Sequence, residues 1–95
     1  MRGHPLKIIR MFVYILQSLK DGKYYIGSTG NINKRIQRHN LGMVKSTKYR
    51  RPLVLAYLEE MANSSEARRR ETEIKKMKGG IQFKVLLKNA AVVQR

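Results

Sequence analysis

The sequence predicts an α+β fold in which a three-stranded antiparallel sheet is flanked by helices. Two runs rich in β-branched and aromatic residues, at 11–18 and 23–28, surround an Asp-Gly pair, as the strands of a β-hairpin do. A third apolar run follows at 53–60, and the other segments carry helix caps and apolar residues at helical spacing. The 95 residues fit one small domain with a modest core.

The hairpin begins the domain. The pair Asp21-Gly22 favours a type I′ turn between the two strands, because both positions tolerate the positive φ that this turn requires. The ten residues before the first strand read as a short extension. We therefore expect residues 1–10 to precede a single domain formed by residues 11–95.

A first helix is predicted directly after the hairpin. Asn31 is a good N-cap for a helix from Ile32 to about Asn40, and Gly42 would end it. Ile32 and Ile36 are four residues apart and lie on one face of this helix. That face is expected to pack on the sheet.

The second half of the chain contains a basic loop, a strand and two more helices. The loop covers residues 43–51 and precedes the strand at 53–60. Asn63 and Glu66 have the spacing of a capping box, which predicts a helix to about Lys78. Helical spacing of apolar residues predicts a last helix that carries Phe83, Leu86, Leu87 and Ala90.

The charge of the chain indicates a polyanionic partner, with nucleic acid as the leading candidate. There are 21 Lys and Arg residues against 6 Asp and Glu, a formal net charge of +15, and no acid occurs between residues 22 and 58. Basic residues that fall in this stretch are predicted nucleic-acid contacts: Lys23, Lys34, Arg38, Lys45, Lys48, Arg50 and Arg51.

Other function classes are disfavoured by what the chain lacks. Without cysteine there are no disulfides and no Cys-ligated zinc, and two histidines are too few for a structural zinc site. The apolar run MFVYIL is too short for a signal peptide, and no run is long enough to span a membrane. We expect a cytoplasmic protein that does not act at a membrane.

Four residues in the first half have side chains suited to phosphodiester chemistry. Tyr14 and Tyr25 lie on paired strands and can approach each other, although such pairs more often serve packing. Arg35 and His39 are one helical turn apart and share a face, where each alone has ordinary structural explanations. Together an arginine can stabilise charge on a phosphodiester while a neighbouring His or Tyr moves a proton.

Glu71 is the acid of the second helix that is expected to turn inward. It lies about 60° around the helix from Ile74, whereas Glu66 and Glu73 lie farther towards solvent. Two interpretations remain open for it. One is an ion pair with Arg68, Arg70, Lys75 or Lys78. The other is a ligand for magnesium, which is commonly bound through one carboxylate, waters and a substrate phosphate.

The ordered set of these motifs resembles the GIY-YIG nuclease superfamily, and more narrowly its small stand-alone bacterial members. The resemblance covers residues 11–87 and rests on VYI at 13–15, YIG at 25–27, Arg35, His39 and RETEIKK at 70–76. It implies the same α+β fold and cleavage of DNA with one divalent metal ion, Mg²⁺ or Mn²⁺. The first motif reads VYI instead of GIY, and the only asparagine late in the chain, where many members carry one, is Asn89.

The resemblance also implies a role for each candidate residue. Tyr14 and Tyr25 are the motif tyrosines, one of which activates or holds water, and Gly27 lets the backbone turn tightly out of its strand. Arg35 contacts the scissile phosphate, His39 occupies a position used by His or Tyr, and Glu71 is the metal ligand.

Two functions follow from these observations. The first is a metal-dependent DNA endonuclease, directed by DNA structure and linked to repair or processing, since the chain is too small for a separate sequence-reading domain. The alternative is a non-catalytic, basic nucleic-acid binding module on the same scaffold. In both, DNA is the expected partner rather than RNA, and a protein partner would supply further specificity.

Overall fold

The computed structural model describes residues 10–89, and the predicted α+β class is confirmed. The elements in chain order are β1 (Met11–Ser18), β2 (Tyr24–Thr29), α1 (Ile32–Asn40), β3 (Leu53–Met61), α2 (Ser64–Met77) and α3 (Ile81–Lys88). A short 3₁₀ turn, Lys48–Arg50, lies within the basic loop. Residues 1–9, which form most of the predicted extension, and Ala90 of the predicted last helix lie outside the described residues.

The sheet has the order β2-β1-β3, and both pairings are antiparallel. Tyr14 is therefore at the centre of the sheet, opposite Gly27 on one side and Leu58 on the other. The register between β1 and β3 shifts after Ile15, which leaves Ala56 as an extra residue in β3. This bulge resets the alternation of β3, so that its two ends can supply apolar side chains to both faces of the sheet.

Each face of the sheet has its own apolar layer. The layer on the α2 and α3 side contains the buried residues Val13, Ile15, Ile26, Tyr57, Ala67, Ile74 and Phe83. The layer on the α1 side contains Tyr14, Leu16 and Leu53, against which Ile32 and Ile36 pack as predicted. The site candidates Tyr14 and Tyr25 thus lie in the smaller layer, beneath α1.

The two predicted helix caps are present. The Asn31 side chain accepts a hydrogen bond from the backbone N–H of Lys34 at 3.0 Å, and that of Asn63 accepts one from Glu66 at 2.9 Å. The end of α1 is tied to β3 by Asn40, whose amide both donates to and accepts from the backbone of Leu53. This double hydrogen bond fixes the last turn of α1 over the sheet, next to His39.

The predicted type I′ turn in the hairpin is wrong. Five residues, 19–23, connect the strands, and the backbone N–H of Gly22 donates to the Ser18 carbonyl at 2.9 Å. Only Gly22 has positive φ in this connection, at 75°, whereas a type I′ turn needs two such residues. The Ser18 hydroxyl accepts hydrogen bonds from the N–H groups of Lys20 and Asp21, which stabilises the longer loop.

Within residues 10–89, none of the helices is both long and apolar enough to cross a lipid bilayer.

Candidate active site

Two tyrosines and a histidine form a compact cluster between the sheet and α1. The ring centroid of His39 lies 4.9 Å from that of Tyr25 and 6.0 Å from that of Tyr14, and the two tyrosine rings are 6.3 Å apart. Tyr14 and His39 are fully buried, while Tyr25 is partly exposed. The structure therefore brings together three of the predicted site residues, with Tyr25 on the solvent side.

His39 is held by hydrogen bonds at both ring nitrogens. Its Nδ1 lies 2.7 Å from the hydroxyl of Thr47, and its Nε2 lies 3.2 Å from the hydroxyl of Tyr14. The Thr47 hydroxyl donates to the Val44 carbonyl at 3.4 Å, so it accepts from Nδ1–H and leaves Nε2 to accept from Tyr14. The chain of hydrogen bonds thus has one direction, from Tyr14 through His39 to Thr47.

Tyr14 and His39 are both neutral at physiological pH. Burial, together with the positive charges of Arg35 and Arg38, lowers the pKa of the His39 imidazole to about 4. Burial is the largest cause of a raised pKa at the Tyr14 hydroxyl, and with the added effects of Tyr25 and Glu71 and the opposing effect of Arg35 this pKa is about 12. The two shifts fit a neutral phenol that donates to a neutral imidazole.

Arg35 lies beside this cluster, as the helical spacing predicts. It is one turn before His39 on α1 and partly exposed. Its guanidinium is close enough to the Tyr14 hydroxyl to lower the pKa of that group. The arrangement places a positive charge at the solvent-facing edge of the tyrosine pair, where a phosphate can reach it.

Gly27 is required at the site for a reason other than the predicted one. It lies within β2 opposite Tyr14 and does not have positive φ, so the predicted tight turn at this residue is wrong. A Cβ atom at Gly27 would lie 2.5 Å from the Tyr14 hydroxyl oxygen and 2.7 Å from Cζ. The absence of a side chain makes room for the Tyr14 ring to lie across β2.

Glu71 turns inward, as its helical position predicts. Its side chain is 19% exposed, against 53% for Glu73 on the same helix. One carboxylate oxygen accepts a hydrogen bond from the Ser28 hydroxyl at 2.9 Å, and the other pairs with Lys75 at 2.8 Å. The carboxylate thus reaches the edge of β2 one residue from Gly27, near enough for its charge to raise the pKa of Tyr14.

The surroundings of Glu71 fit a hard divalent cation bound through one carboxylate. The described residues contain no group of three or more His, Cys, Asp or Glu side chains that could hold a metal ion. Glu71 and the neighbouring Ser28 hydroxyl supply oxygen donors, which magnesium prefers. The Lys75 ammonium occupies a cation position at the carboxylate, and because its side chain is 55% exposed, a metal ion at this position could displace it.

Most of the basic residues predicted to contact nucleic acid are exposed. These are Lys23, Lys34, Arg38, Lys45, Lys48 and Arg51. Arg50 differs, because it is partly buried, its Nε lies 3.4 Å from a carboxylate oxygen of Asp21, and its Nη2 donates to the Tyr24 carbonyl at 3.5 Å. Arg50 therefore has a structural role in the hairpin, and contact with nucleic acid by all seven residues stays a prediction.

Thr47 and Ser28 were not predicted as site residues. Because Ser28 follows Gly27, strand alternation places its side chain on the face opposite to Tyr25, towards α2. This alternation can be read from the sequence. Thr47 is fully buried within a loop, and no periodicity in the sequence distinguishes it from its neighbours. Asn89, the only late asparagine, ends α3, which packs against α2 and β3.

The low pKa of His39 predicts a specific loss of stability in mild acid. The imidazole accepts a proton near pH 6.5 in the unfolded chain but only near pH 4 in the fold, so protonation favours unfolding between these values. Over that window we expect about 3 kcal/mol to be lost, and nothing from this group above pH 7.

Urea unfolding at several pH values checks this prediction, with His39→Gln as the comparison. The variant is expected to have a flatter slope of stability between pH 6.5 and 5, above the range in which carboxylates titrate. Equal slopes in the two proteins would show that His39 is not held neutral by the fold.

Comparison with known proteins places the chain in a family. The GIY-YIG catalytic domain model matches residues 10–82. A UPF0213 protein of Staphylococcus haemolyticus is 51% identical over 65 residues, which is 67% of this chain and 78% of the relative. A UPF0213 protein of Staphylococcus aureus is 46% identical over the same shares of the two chains.

A solved structure agrees in fold as well. The solution NMR structure of the UPF0213 protein BH0048 from Bacillus halodurans aligns with a TM-score of 0.53 and 30% sequence identity, covering 85% of this chain and 86% of that one. The match spans the sheet and the helices that carry the tyrosines, Arg35, His39 and Glu71. The chain therefore belongs to the GIY-YIG nuclease family, and its relatives are small bacterial UPF0213 proteins.

Proposed function

We propose that this protein is a metal-dependent endonuclease that cleaves DNA phosphodiester bonds. One observation carries the proposal: Arg35 and the inward-turned Glu71 both lie near the Tyr14, Tyr25 and His39 cluster, and Glu71 accepts a hydrogen bond from Ser28, the residue after Gly27. A basic binding module would need exposed Lys and Arg residues only. Family membership supports the same conclusion, because the matched domain is a catalytic one.

The exposure of the two tyrosines divides their roles. Tyr14 is fully buried, so solvent does not reach it, whereas Tyr25 is partly exposed beside Lys75, whose pKa its charge helps to raise. Tyr25 is accordingly the residue that holds the attacking water. Tyr14 orients His39 from below, and the Tyr25 ring packs edge-on against His39.

Arg35 binds the scissile phosphate. In hydrolysis the water oxygen forms a bond to phosphorus, the bond to the leaving oxygen breaks, and negative charge builds up on the non-bridging oxygens. A fixed guanidinium at that point stabilises the charge more in the transition state than in the ground state. When bound at Glu71, a divalent ion such as Mg²⁺ or Mn²⁺ supplies Lewis acidity and lowers the pKa of a coordinated water.

Charge distribution supports DNA as the partner. Five acids form ion pairs within the fold: Asp21 with Arg50, Glu59 and Glu73 with Arg70, Glu60 with Arg10, and Glu71 with Lys75. Most of the 21 basic residues therefore remain to attract a polyanion. Because phosphate contacts carry little sequence information, we expect recognition of DNA structure, as in repair or processing, with any further specificity from a protein partner.

The alternative is a non-catalytic binding module, and one observation favours it. The Glu71 carboxylate is already engaged by Ser28 and Lys75, which is a complete arrangement for a structural ion pair. A module of this kind would bind nucleic acid with the same dependence on salt, since counterion release does not require catalysis. Only a cleavage assay separates the two functions.

The test is a cleavage assay that compares Arg35→Met with Lys34→Met. Both substitutions remove one positive charge from α1, but only Arg35 lies beside the tyrosines. With Mg²⁺ or Mn²⁺, on labelled single-stranded, duplex and branched DNA and on RNA, we expect Arg35→Met to lower the rate ~10²-fold and Lys34→Met to stay within a few-fold of wild type.

Binding measured on the same samples completes the test. Each variant is expected to lose a similar, small part of its affinity, because each loses at most one phosphate contact. Salt-sensitive binding by wild type without cutting on any substrate would establish the binding module instead. If Arg35→Met still cleaves at the wild-type rate, Arg35 is not part of the active site.

A further inference from the structure

A pocket with apolar and basic walls lies on the face of the hairpin opposite to the tyrosine cluster. It has a volume of about 460 Å³, within the range of small-molecule sites. Tyr24 and Leu87 are partly exposed and form its apolar surface, and the buried Phe83 ring packs edge-to-face against Tyr24 with the ring centroids 5.3 Å apart. Basic residues also line it: Lys23, Arg50, Lys78 and Lys84.

Two of these cations are fixed at the edge of the sheet. The Lys78 ammonium donates to the Tyr24 carbonyl at 2.8 Å, and Arg50 approaches the same carbonyl at 3.5 Å. Lys23 and Lys84 are exposed around the pocket. Asp21 is close by but is paired with Arg50, so positive charge dominates the surroundings of an apolar surface.

Two elements, α2 and β2, each connect the pocket to the proposed active site, and the distance along each of them is short. Lys78 directly follows α2, and the helical rise from Glu71 to this end of the helix is about 10 Å. On β2, Ser28 and Tyr24 are about 13 Å apart. These distances correspond to about three or four base-pair steps along the axis of a duplex. A strand bound at Arg35 and Glu71 can therefore reach the pocket.

We infer that this pocket binds one unpaired nucleotide of the DNA, with its base on the apolar surface and its phosphates at the lysines. A paired base has both faces covered by its neighbours, so a duplex presents only phosphates and base edges and leaves the apolar surface unused. An extruded or single-stranded base offers a π-face, which aromatic side chains bind without sequence preference. The inference rests on the proposed action on DNA and assigns the feature recognised: an unpaired nucleotide near the cleavage point.

The test uses the full chain without divalent metal, so that cleavage plays no part. Two DNA duplexes are compared, one fully paired and one with a single extra 2-aminopurine nucleotide. Wild type is expected to bind the bulged duplex about tenfold more tightly, and stacking should change the 2-aminopurine fluorescence. Tyr24→Leu should abolish the preference for the bulged duplex, while Tyr24→Phe, which keeps the aromatic ring, should retain it.

A surface variant keeps the test valid if Tyr24→Leu does not fold. Lys84→Ala is expected to weaken binding of the bulged duplex more than Arg69→Ala, which removes an equal charge from an exposed position outside the pocket. Equal affinity of wild type for both duplexes, or a preference that survives Tyr24→Leu, would overturn the inference. If the protein prefers the bulged duplex but cleaves DNA under no condition, the proposed nuclease function is overturned, while the inference that the pocket binds an unpaired nucleotide stands.

Discussion

Replacing Glu71 with Gln is expected to lower metal-dependent cleavage ~10³-fold or more. Glutamine keeps the size of the side chain and an oxygen that can accept from Ser28, but it removes the negative charge that would hold a divalent ion. A loss of about 4 kcal/mol of transition-state stabilisation corresponds to this factor. Cleavage rates at increasing Mg²⁺ and Mn²⁺ concentrations measure it, together with DNA binding in the absence of metal.

Glu73→Gln is the matched control for this experiment. It makes the same chemical change on the same helix, but its carboxylate is 53% exposed and pairs with Arg70. We expect Glu73→Gln to cleave within a few-fold of wild type, and both variants to bind DNA as well as wild type. A Glu71→Gln protein that cleaves within about tenfold of wild type would refute the role of Glu71 as the metal ligand.

Gly27→Ala is expected to give the largest loss of stability among single-methyl additions to the site. The new Cβ would lie 2.5 Å from the Tyr14 hydroxyl oxygen, and the Tyr14 ring is fully buried and has no free space to move into. Overpacking of this kind costs about 3 kcal/mol, which corresponds to a fall in Tm of about 10 °C or more. Displacement of Tyr14 would also break its hydrogen bond to His39 and lower cleavage.

Thermal unfolding of four variants separates this clash from a general effect of replacing glycine with alanine in or directly after β2. Gly30→Ala is the control, because a Cβ there meets its nearest neighbour, the Met11 sulfur, at an ordinary 3.7 Å. Tyr14→Phe removes the atom closest to the new methyl, so the double variant Gly27→Ala with Tyr14→Phe should lose less stability than the two single losses added together. Strict additivity would show that the hydroxyl oxygen is not the source of the clash, because Cζ, at 2.7 Å from the new Cβ, remains in Tyr14→Phe.

The fold was predictable because several local signals agree. Asn31 and Asn63 each cap a helix where the sequence predicts one, and Ile32 and Ile36 give α1 the apolar face that packs on the sheet. The hairpin turn was not predictable from Asp21-Gly22 alone, since its geometry depends on the hydroxyl of Ser18, which accepts from two backbone N–H groups in the loop. Side-chain capping of this kind competes with the standard turn types.

The site was predictable to the extent that its residues follow a period. Helical spacing places Arg35 beside His39 and turns Glu71 inward, and strand pairing brings Tyr14 near Tyr25. Thr47 depends on how the basic loop folds back over α1, and the pocket at Tyr24 depends on how α3 docks against the hairpin. Both depend on how a loop or a helix packs against the rest of the fold, which no periodic pattern in the sequence specifies.

The division of the core into two layers has a consequence for how activity can be lost. Within residues 10–89, α1 is the one α-helix on its face of the sheet, held by Ile32, Ile36 and the Asn40 hydrogen bonds, whereas α2 and α3 share the other face. Local opening of α1 would therefore displace Arg35 and His39 while Glu71 stays folded. Such a partial unfolding would remove two residues of the proposed active site without global unfolding, and it would expose the amide protons of α1 to hydrogen exchange before those of α2.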